Sequence, residues 1–373
     1  MSKFMRCKYG RGPPPSHRGK RSEWSLVFPR GRGQVWPMRP MVQVAICQSQ
    51  FPENTRRSLL TSLRTRRIRH KFLYDGAKHA QKWIELHESY SPARLDPDCL
   101  ETYATAFAAV VGRTKAERVH VIGLGCGGGQ KETQLLALLK RARRQLSYTP
   151  CDGSLALVLV ASRAVSTVLS AAECFPVVCD LEEADDLAAI GGQLAPRGAH
   201  RLITFFGILP NSEPQVILPR LADLLRTRDW LLLSANLAPG RDYAAGVRQV
   251  LPQYDNPASR AWLMTFLLDL GVERSDGVLR FVVEDDPLVP GLKRIVAVYR
   301  FKRARRIEVA NERFEFRRGD RVRLFFSYRH TPDQICALLG QHGIQVVDRW
   351  VTRSEEEGVF LCQRGGRQGA SKK

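Results

Sequence analysis

From Arg118 onward, short apolar runs alternate with amphipathic stretches. Val119–Leu124, Leu146–Cys151, Phe175–Cys179, Arg201–Phe206 and Trp230–Ala235 read as strands. Lys131–Arg144, Ser154–Ser170 and Glu213–Arg226 read as helices between them, although Leu155–Val160 alone would pass for a buried strand. Strands separated by helices predict an α/β fold with a doubly wound, mostly parallel sheet. Upstream, Arg56–Gly112 is mostly helical, with Leu59, Leu60 and Leu63 on one face and Leu100, Tyr103 and Phe107 on another. Downstream, a helix over Tyr254–Asp269 gives way to shorter strands: Val278–Val283, Arg294–Phe301, Val322–Tyr328, Gln345–Val351 and Val359–Cys362. One helix, Thr331–Gln341, lies among them, and no internal repeat is evident.

Composition adds a charged tail to this picture. The chain has 373 residues, 44% of them hydrophobic, and a formal net charge of +21. Met1–Pro40 carries ten Lys/Arg against one acid, Glu23, in a Gly-, Pro- and Arg-rich context that predicts disorder. Met38 and Met41 offer alternative starts. Further basic clusters fall at Arg56–Lys71, Arg300–Arg306 and Arg317–Arg323. Basic stripes neutralise phosphates, so nucleic-acid binding through the tail is an alternative reading, though no nucleic-acid motif accompanies them. Nine cysteines, odd in number and without C-x-x-C, fit free thiols in a reducing cytoplasm rather than disulfides or zinc. No apolar run is long enough for a membrane span.

The chemistry gathers at the strand ends. The first strand runs into Gly123-Leu124-Gly125-Cys126-Gly127-Gly128-Gly129, five glycines in seven residues, before a helix. Such a turn lets a ligand lie against bare main chain at a helix N-terminus. The second strand ends at Asp152, placed for a ribose diol, and the third at Asp180, placed for an adenine amino group. A dinucleotide and S-adenosylmethionine share the first two features. The loop's lack of a clean G-x-G-x-x-G frame and the Cys179-Asp180 ending favour S-adenosylmethionine.

With these motifs in order, residues 51–362 resemble the histidine-specific methyltransferase family, which trimethylates the histidine α-amino group in ergothioneine biosynthesis. Lys71-Phe72-Leu73-Tyr74-Asp75 resembles the family's K-Y-F-Y-D, and Glu88-Ser89-Tyr90-Ser91-Pro92-Ala93-Arg94 its E-Y-Y-P-T-R with one residue inserted. Residues 125–131 stand for G-S-G-T-S-E-K, 148–154 for Y-V-P-F-D-V-S, and 179–181 for G-D-F. Residues 205–211 stand for F-L-G-S-T-I-G-N, one residue short, and 253–255 for A-Y-D.

The resemblance implies a class I methyltransferase: a Rossmann-like core with a smaller α+β substrate-binding domain and S-adenosylmethionine as cofactor. The expected layout is a disordered tail over 1–45, a helical segment over 46–112 and the cofactor core over 113–240. A substrate-binding insertion over 241–330, a return to the core over 331–363 and a tail over 364–373 complete it. Tyr74, Gly125, Gly127, Lys131, Asp152, Asp180 and Gly207 would hold the cofactor. Asn211 would hold a substrate carboxylate and Tyr254 support it. The family's amine-facing tyrosine falls on Ser89 or Tyr90. Where the family has E-x-S against the imidazole, this chain has Phe325-Phe326-Ser327, so Ser327 remains and the acid is Phe325. A Phe cannot accept the charge-assisted bond that selects imidazole, and favours an apolar or aromatic side chain.

The implied reaction is in-line methyl transfer to the amine of an amino acid or similar carboxylate-bearing amine, with Tyr90 and Ser327 as candidate proton acceptors. A catalytically idle relative or a basic RNA-methylating protein are the alternatives. His330 and His342 read as surface residues rather than bases. A cytoplasmic monomer is expected. Three departures stand out. Gly123 occupies the place of a family acid, Ala235-Asn236-Leu237 replaces T-D-L, and Ala258-Ser259 falls where the family has F-N.

Overall fold

The alternating half of the chain closes into one large sheet. The computed structural model describes residues 42–193, 196 and 198–365. The elements begin with β1 (Ala45–Ile46), α1 (Pro52–Thr65), α2 (Gly76–Tyr90), α3 (Pro92–Leu95) and α4 (Pro97–Arg113). The core follows: β2 (Arg118–Leu124), α5 (Gln130–Arg141), β3 (Gln145–Asp152), α6 (Leu155–Val165), β4 (Val177–Val178), α7 (Ala184–Gln193), β5 (His200–Phe206), α8 (Pro214–Leu224) and β6 (Trp230–Asn236). Then come α9 (Tyr243–Gln249), α10 (Pro257–Asp269), β7 (Gly277–Asp285), β8 (Lys293–Phe301), β9 (Arg305–Val309), β10 (Glu312–Phe316) and β11 (Arg321–Arg329). The chain returns with α11 (Pro332–Gln341), β12 (Ile344–Val351) and β13 (Glu357–Arg364).

The eight-stranded sheet has the order β1-β4-β3-β2-β5-β6-β13-β12. It is parallel from β1 to β6, and β13 joins antiparallel to β6 and β12. Helices cover both faces, so the central strands are buried throughout and read as continuous apolar runs. Ile122, Ile203, Phe205 and Leu233 pack on one side with Leu218 and Leu221 of α8, and Ile335 of α11. Val121, Leu202 and Leu232 pack on the other with Phe107 and Val110 of α4, and Leu135 of α5. The chain reverses direction across the sheet at β2, which makes the carboxyl ends of β2, β3 and β5 the natural crevice. Polar caps fix the helix starts: Ser154 accepts from the Leu157 N–H, Asn256 from Ser259, and Thr331 from Gln334 in a capping box.

A second, three-stranded antiparallel sheet, β11-β8-β7, and the β9–β10 hairpin form the inserted part. Its core is shared with the N-terminal helices. Leu60 and Leu63 of α1, with Phe72 and Leu73, pack against Trp262, Phe266, Tyr299 and Val322. A register shift between Arg323 and Phe325 bends β11 beside the crevice.

The expected strand Phe175–Cys179 shrinks to Val177–Val178, because Pro176 supplies no N–H to a ladder. Ala45, placed by the sequence at the end of the tail, opens β1. The Ala45 N–H donates to Pro176 O and the Cys47 N–H to Val178 O, each at 2.9 Å, which covers the sheet edge. Residues 1–41, with Met38 and Met41, and residues 366–373 lie outside the described residues. His330 is not a surface residue. It is fully buried after β11, neither ring nitrogen has a partner among the described residues, and burial lowers its pKa to about 4. His342 is partly buried.

The eight cysteines among the described residues are free. The basic clusters are partly answered internally, by Asp276 for Arg303 and Arg305, Glu312 for Arg64, and Asp320 for Arg66. No helix among the described residues is long and apolar enough to cross a membrane.

Candidate active site

The glycine turn after β2 forms the floor of the crevice. Gly127 has φ +50°, and a Cβ there would lie 2.6 Å from the Trp83 ring. Gly129 has φ +73°, and a Cβ there would lie 2.8 Å from the Ala161 backbone, so neither position admits a side chain. Asp152, at the end of β3, accepts from the Gly127 N–H at 3.1 Å and the Ser154 N–H at 3.0 Å. Burial nevertheless pushes its carboxyl up to about 6. Asp180 is buried beside the Lys71 ammonium at 2.9 Å and the Arg69 guanidinium at 3.0 Å. Gly207 turns the chain after β5 with φ +70°, and the Asn211 side-chain N–H donates back to Gly207 O at 3.3 Å.

Lys131 opens α5 and crosses to α4. Its Nζ donates to Tyr103 Oη at 2.5 Å and lies 4.1 Å from that ring's centroid. The Tyr103 hydroxyl in turn faces Ser234 Oγ and Glu357 Oε1, each at 2.6 Å, and has one proton to give to either.

The opposite wall comes from β11 and α10. Phe325 and Ser327, two residues apart, both face the crevice. Phe325 meets the Trp262 ring edge-on at 5.7 Å and stacks on His70 at 4.9 Å. Tyr254 Oη lies 3.0 Å from Ser327 Oγ. Arg329 Nε donates to that same Tyr254 oxygen at 3.0 Å. His70 Nε2 accepts from the Phe326 N–H at 3.2 Å. Burial, with the Arg323 charge added, drops its pKa to about 3, so the ring is neutral.

One cavity of about 750 Å³ joins these parts. Every site residue expected from the sequence lines it: Tyr74, Tyr90, Gly125, Gly127, Lys131, Asp152, Asp180, Gly207, Asn211, Tyr254, Phe325 and Ser327. Tyr90, at the end of α2, is half exposed, whereas Ser327 is buried. Trp83, His87, Trp262, Phe281, Arg329 and Glu132 line the cavity too, and sequence reasoning passed over them. Trp83 and His87 are four apart on α2, a spacing that reads as a buried helix face.

The profile of the family described as "Histidine-specific methyltransferase, SAM-dependent" matches residues 53–264 and 287–364. The chain belongs to this family. Among curated relatives, the N-methyltransferase imqF of Aspergillus flavus is 24% identical over 73% of each chain. The histidine N-alpha-methyltransferase of Mycolicibacterium smegmatis is 25% identical over 79% of this chain and 89% of its own. Among solved structures, the 1,6-didemethyltoxoflavin-N1-methyltransferase of Burkholderia thailandensis covers 78% of this chain and 89% of its own, at 12% identity and a TM-score of 0.36. The protein is thus an α/β, S-adenosylmethionine-dependent N-methyltransferase.

The crevice fits that cofactor on its own terms. Two buried carboxylates lie at or just past the ends of adjacent parallel strands, and a turn without room for a side chain at Gly127 or Gly129 runs into α5. When bound, the cofactor supplies an electrophilic methyl group on a cationic sulfur. The chain's part is to hold, align and desolvate.

Proposed function

We propose that the protein methylates the amino group of a carboxylate-bearing amine whose side chain is aromatic or apolar. The observation that carries this reading is the position of Phe325. It shares a wall with Ser327, Tyr254 and Trp262 in the cavity that also contains Asn211, Asp152 and Asp180. Asn211 anchors the substrate carboxylate, and the Tyr254–Ser327–Arg329 chain fixes the wall beside it. Tyr74, Gly125, Gly127, Lys131, Asp152, Asp180 and Gly207 hold the cofactor. The acceptor amine must be neutral to attack. Ser327 Oγ accepts from Tyr254 and keeps a further lone pair to accept a hydrogen bond from the amine, half-exposed Tyr90 is the second candidate hydroxyl, and the proton itself leaves to water.

The test is a methyl-transfer screen over free amino acids with the wild type and Asn211→Ala. Aromatic and large apolar amino acids should be methylated and histidine poorly. Asn211→Ala should lose most of the activity through KM. Equal turnover of the variant would remove the carboxylate anchor, and a histidine preference would remove the Phe325 reading.

A further inference from the structure

Glu132 stands third in α5 and is 3% exposed, yet it lines the cavity. Among the described residues, Thr204 of β5 is the one other residue that hydrogen-bonds its side chain, donating from its hydroxyl to Oε1 at 3.1 Å. The neighbouring cation on its own helix, Lys131, turns away to Tyr103. The other titratable groups that bear on it are Asp152 and Tyr148 of β3 and Cys126 of the glycine turn, none of them cationic. The Tyr148 hydroxyl has no partner among the described residues and fills the space over Gly123, where a Cβ would come within 2.7 Å of it. A strand acid at 123 is therefore absent and sterically disfavoured, while a helix acid reaches the same end of the crevice.

A buried carboxylate with one neutral partner is costly to ionise. Burial raises the Glu132 pKa to about 7, with its own backbone N–H, Thr204 and Lys131 opposing only in part. The methionine half of S-adenosylmethionine carries an ammonium and a sulfonium against one carboxylate, a net positive charge, and the glycine turn that would receive it runs into α5.

We propose that Glu132 is the counter-charge for the cationic half of the cofactor, and that cofactor binding expels the Glu132 proton. The idea rests on the cofactor being S-adenosylmethionine and adds a residue and a proton linkage to it. The sign follows from the raised pKa. Without ligand, about half the Glu132 side chains are protonated near pH 7. A bound cation favours the carboxylate, so binding releases protons. Affinity falls as pH drops below 7, by up to about tenfold per unit.

The experiment is calorimetric titration of the full chain with S-adenosylmethionine at pH 7, in buffers of different ionisation enthalpy. The wild type should release about half a proton per cofactor bound. Glu132→Gln should bind at least about tenfold more weakly and lose most of the release at pH 7, leaving only the smaller part that Asp152, with its carboxyl pushed up to about 6, contributes toward the acid end. Thr204→Val removes the one side-chain donor to Glu132 and should move the pH of greatest release upward, so the linkage is testable even if Glu132→Gln folds poorly. S-adenosylhomocysteine keeps the ammonium without the sulfonium. Its undiminished release would assign Glu132 to the ammonium, and a smaller release to the sulfonium. Wild-type binding without proton release, or equal release by Glu132→Gln, would overturn the proposal. A wild type that binds no S-adenosylmethionine would instead strike at the cofactor itself.

Discussion

Tyr254 gives its proton to Ser327 Oγ across 3.0 Å while its oxygen accepts from Arg329 Nε, also at 3.0 Å. The two bonds tie the segment before α10 to the inner face of β11. Arg329 is buried and also donates to Leu237 O at the end of β6, so the wall is referenced to the core sheet.

Removing the Tyr254 hydroxyl should therefore disturb the substrate wall more than the cofactor floor. Tyr254→Phe leaves a buried guanidinium N–H without its acceptor, a loss of about 1.5–3 kcal/mol for a bond to a charged group. The expected outcome is a KM for the accepted amine raised at least about tenfold, with the S-adenosylmethionine Kd unchanged. Steady-state kinetics together with calorimetry check it. A weakened cofactor Kd at constant KM would contradict the assignment of this wall.

Tyr103 sits at the centre of a different network. It receives Lys131 and faces Glu357 and Ser234, which joins α4, α5, β6 and β13 around one buried oxygen. Tyr103→Phe keeps the ring under Lys131 and deletes that oxygen. Two buried polar groups lose a partner, at about 1–3 kcal/mol each. The midpoint of thermal unfolding should fall by several degrees, about 2–4 °C per kcal/mol. Calorimetric melting of the cofactor-free protein measures it.

The core was readable because each central strand is buried on both faces and announces itself as an apolar run, and because each acid or glycine follows such a run directly. Asp152, Asp180 and Gly207 needed nothing more than strand ends. Asn211, Tyr254 and Ser327 needed the family resemblance, since their motifs are short. The cavity's aromatic wall was hidden, because Trp83 and Trp262 lie on helices whose spacing does not distinguish a cavity face from a packed one. The β9–β10 hairpin was hidden under its own charge. His330 reads as exposed in the sequence because it is a lone histidine beside a turn, whereas it closes a backbone bridge to Leu237 and is sealed in.

That burial gives the protein an acid-sensitive point. A histidine with its pKa lowered from 6.5 to about 4 is held neutral by the fold. Its contribution to stability is complete above pH 6.5 and is lost as pH falls toward 4. At pH 5 the loss amounts to about 2 kcal/mol for this residue, from 1.36 kcal/mol per pH unit. His120, with its pKa lowered to about 4, adds in the same direction. Urea unfolding at pH 8 and pH 5 should show the decline, and His330→Phe should flatten its slope. An identical slope in the variant would mean that His330 does not report the acid limb.

Phe325 gives the sharpest substrate test. Its ring is stacked on a neutral His70 and meets Trp262 edge-on, so the position presents only hydrocarbon to a ligand's side chain. Phe325→Glu places a carboxylate there on a buried strand. It would be expensive when empty, and an imidazole N–H would satisfy it. Phe325→Leu keeps the position apolar and serves as the control. The ratio of kcat/KM for histidine to that for the best aromatic amino acid should rise at least about tenfold in Phe325→Glu, through both a loss on the aromatic and a gain on histidine. In Phe325→Leu the ratio should stay within about threefold of wild type. A ratio unmoved by the acid would place the selecting wall elsewhere in the cavity, with the Trp83–His87 face of α2 as the next to substitute.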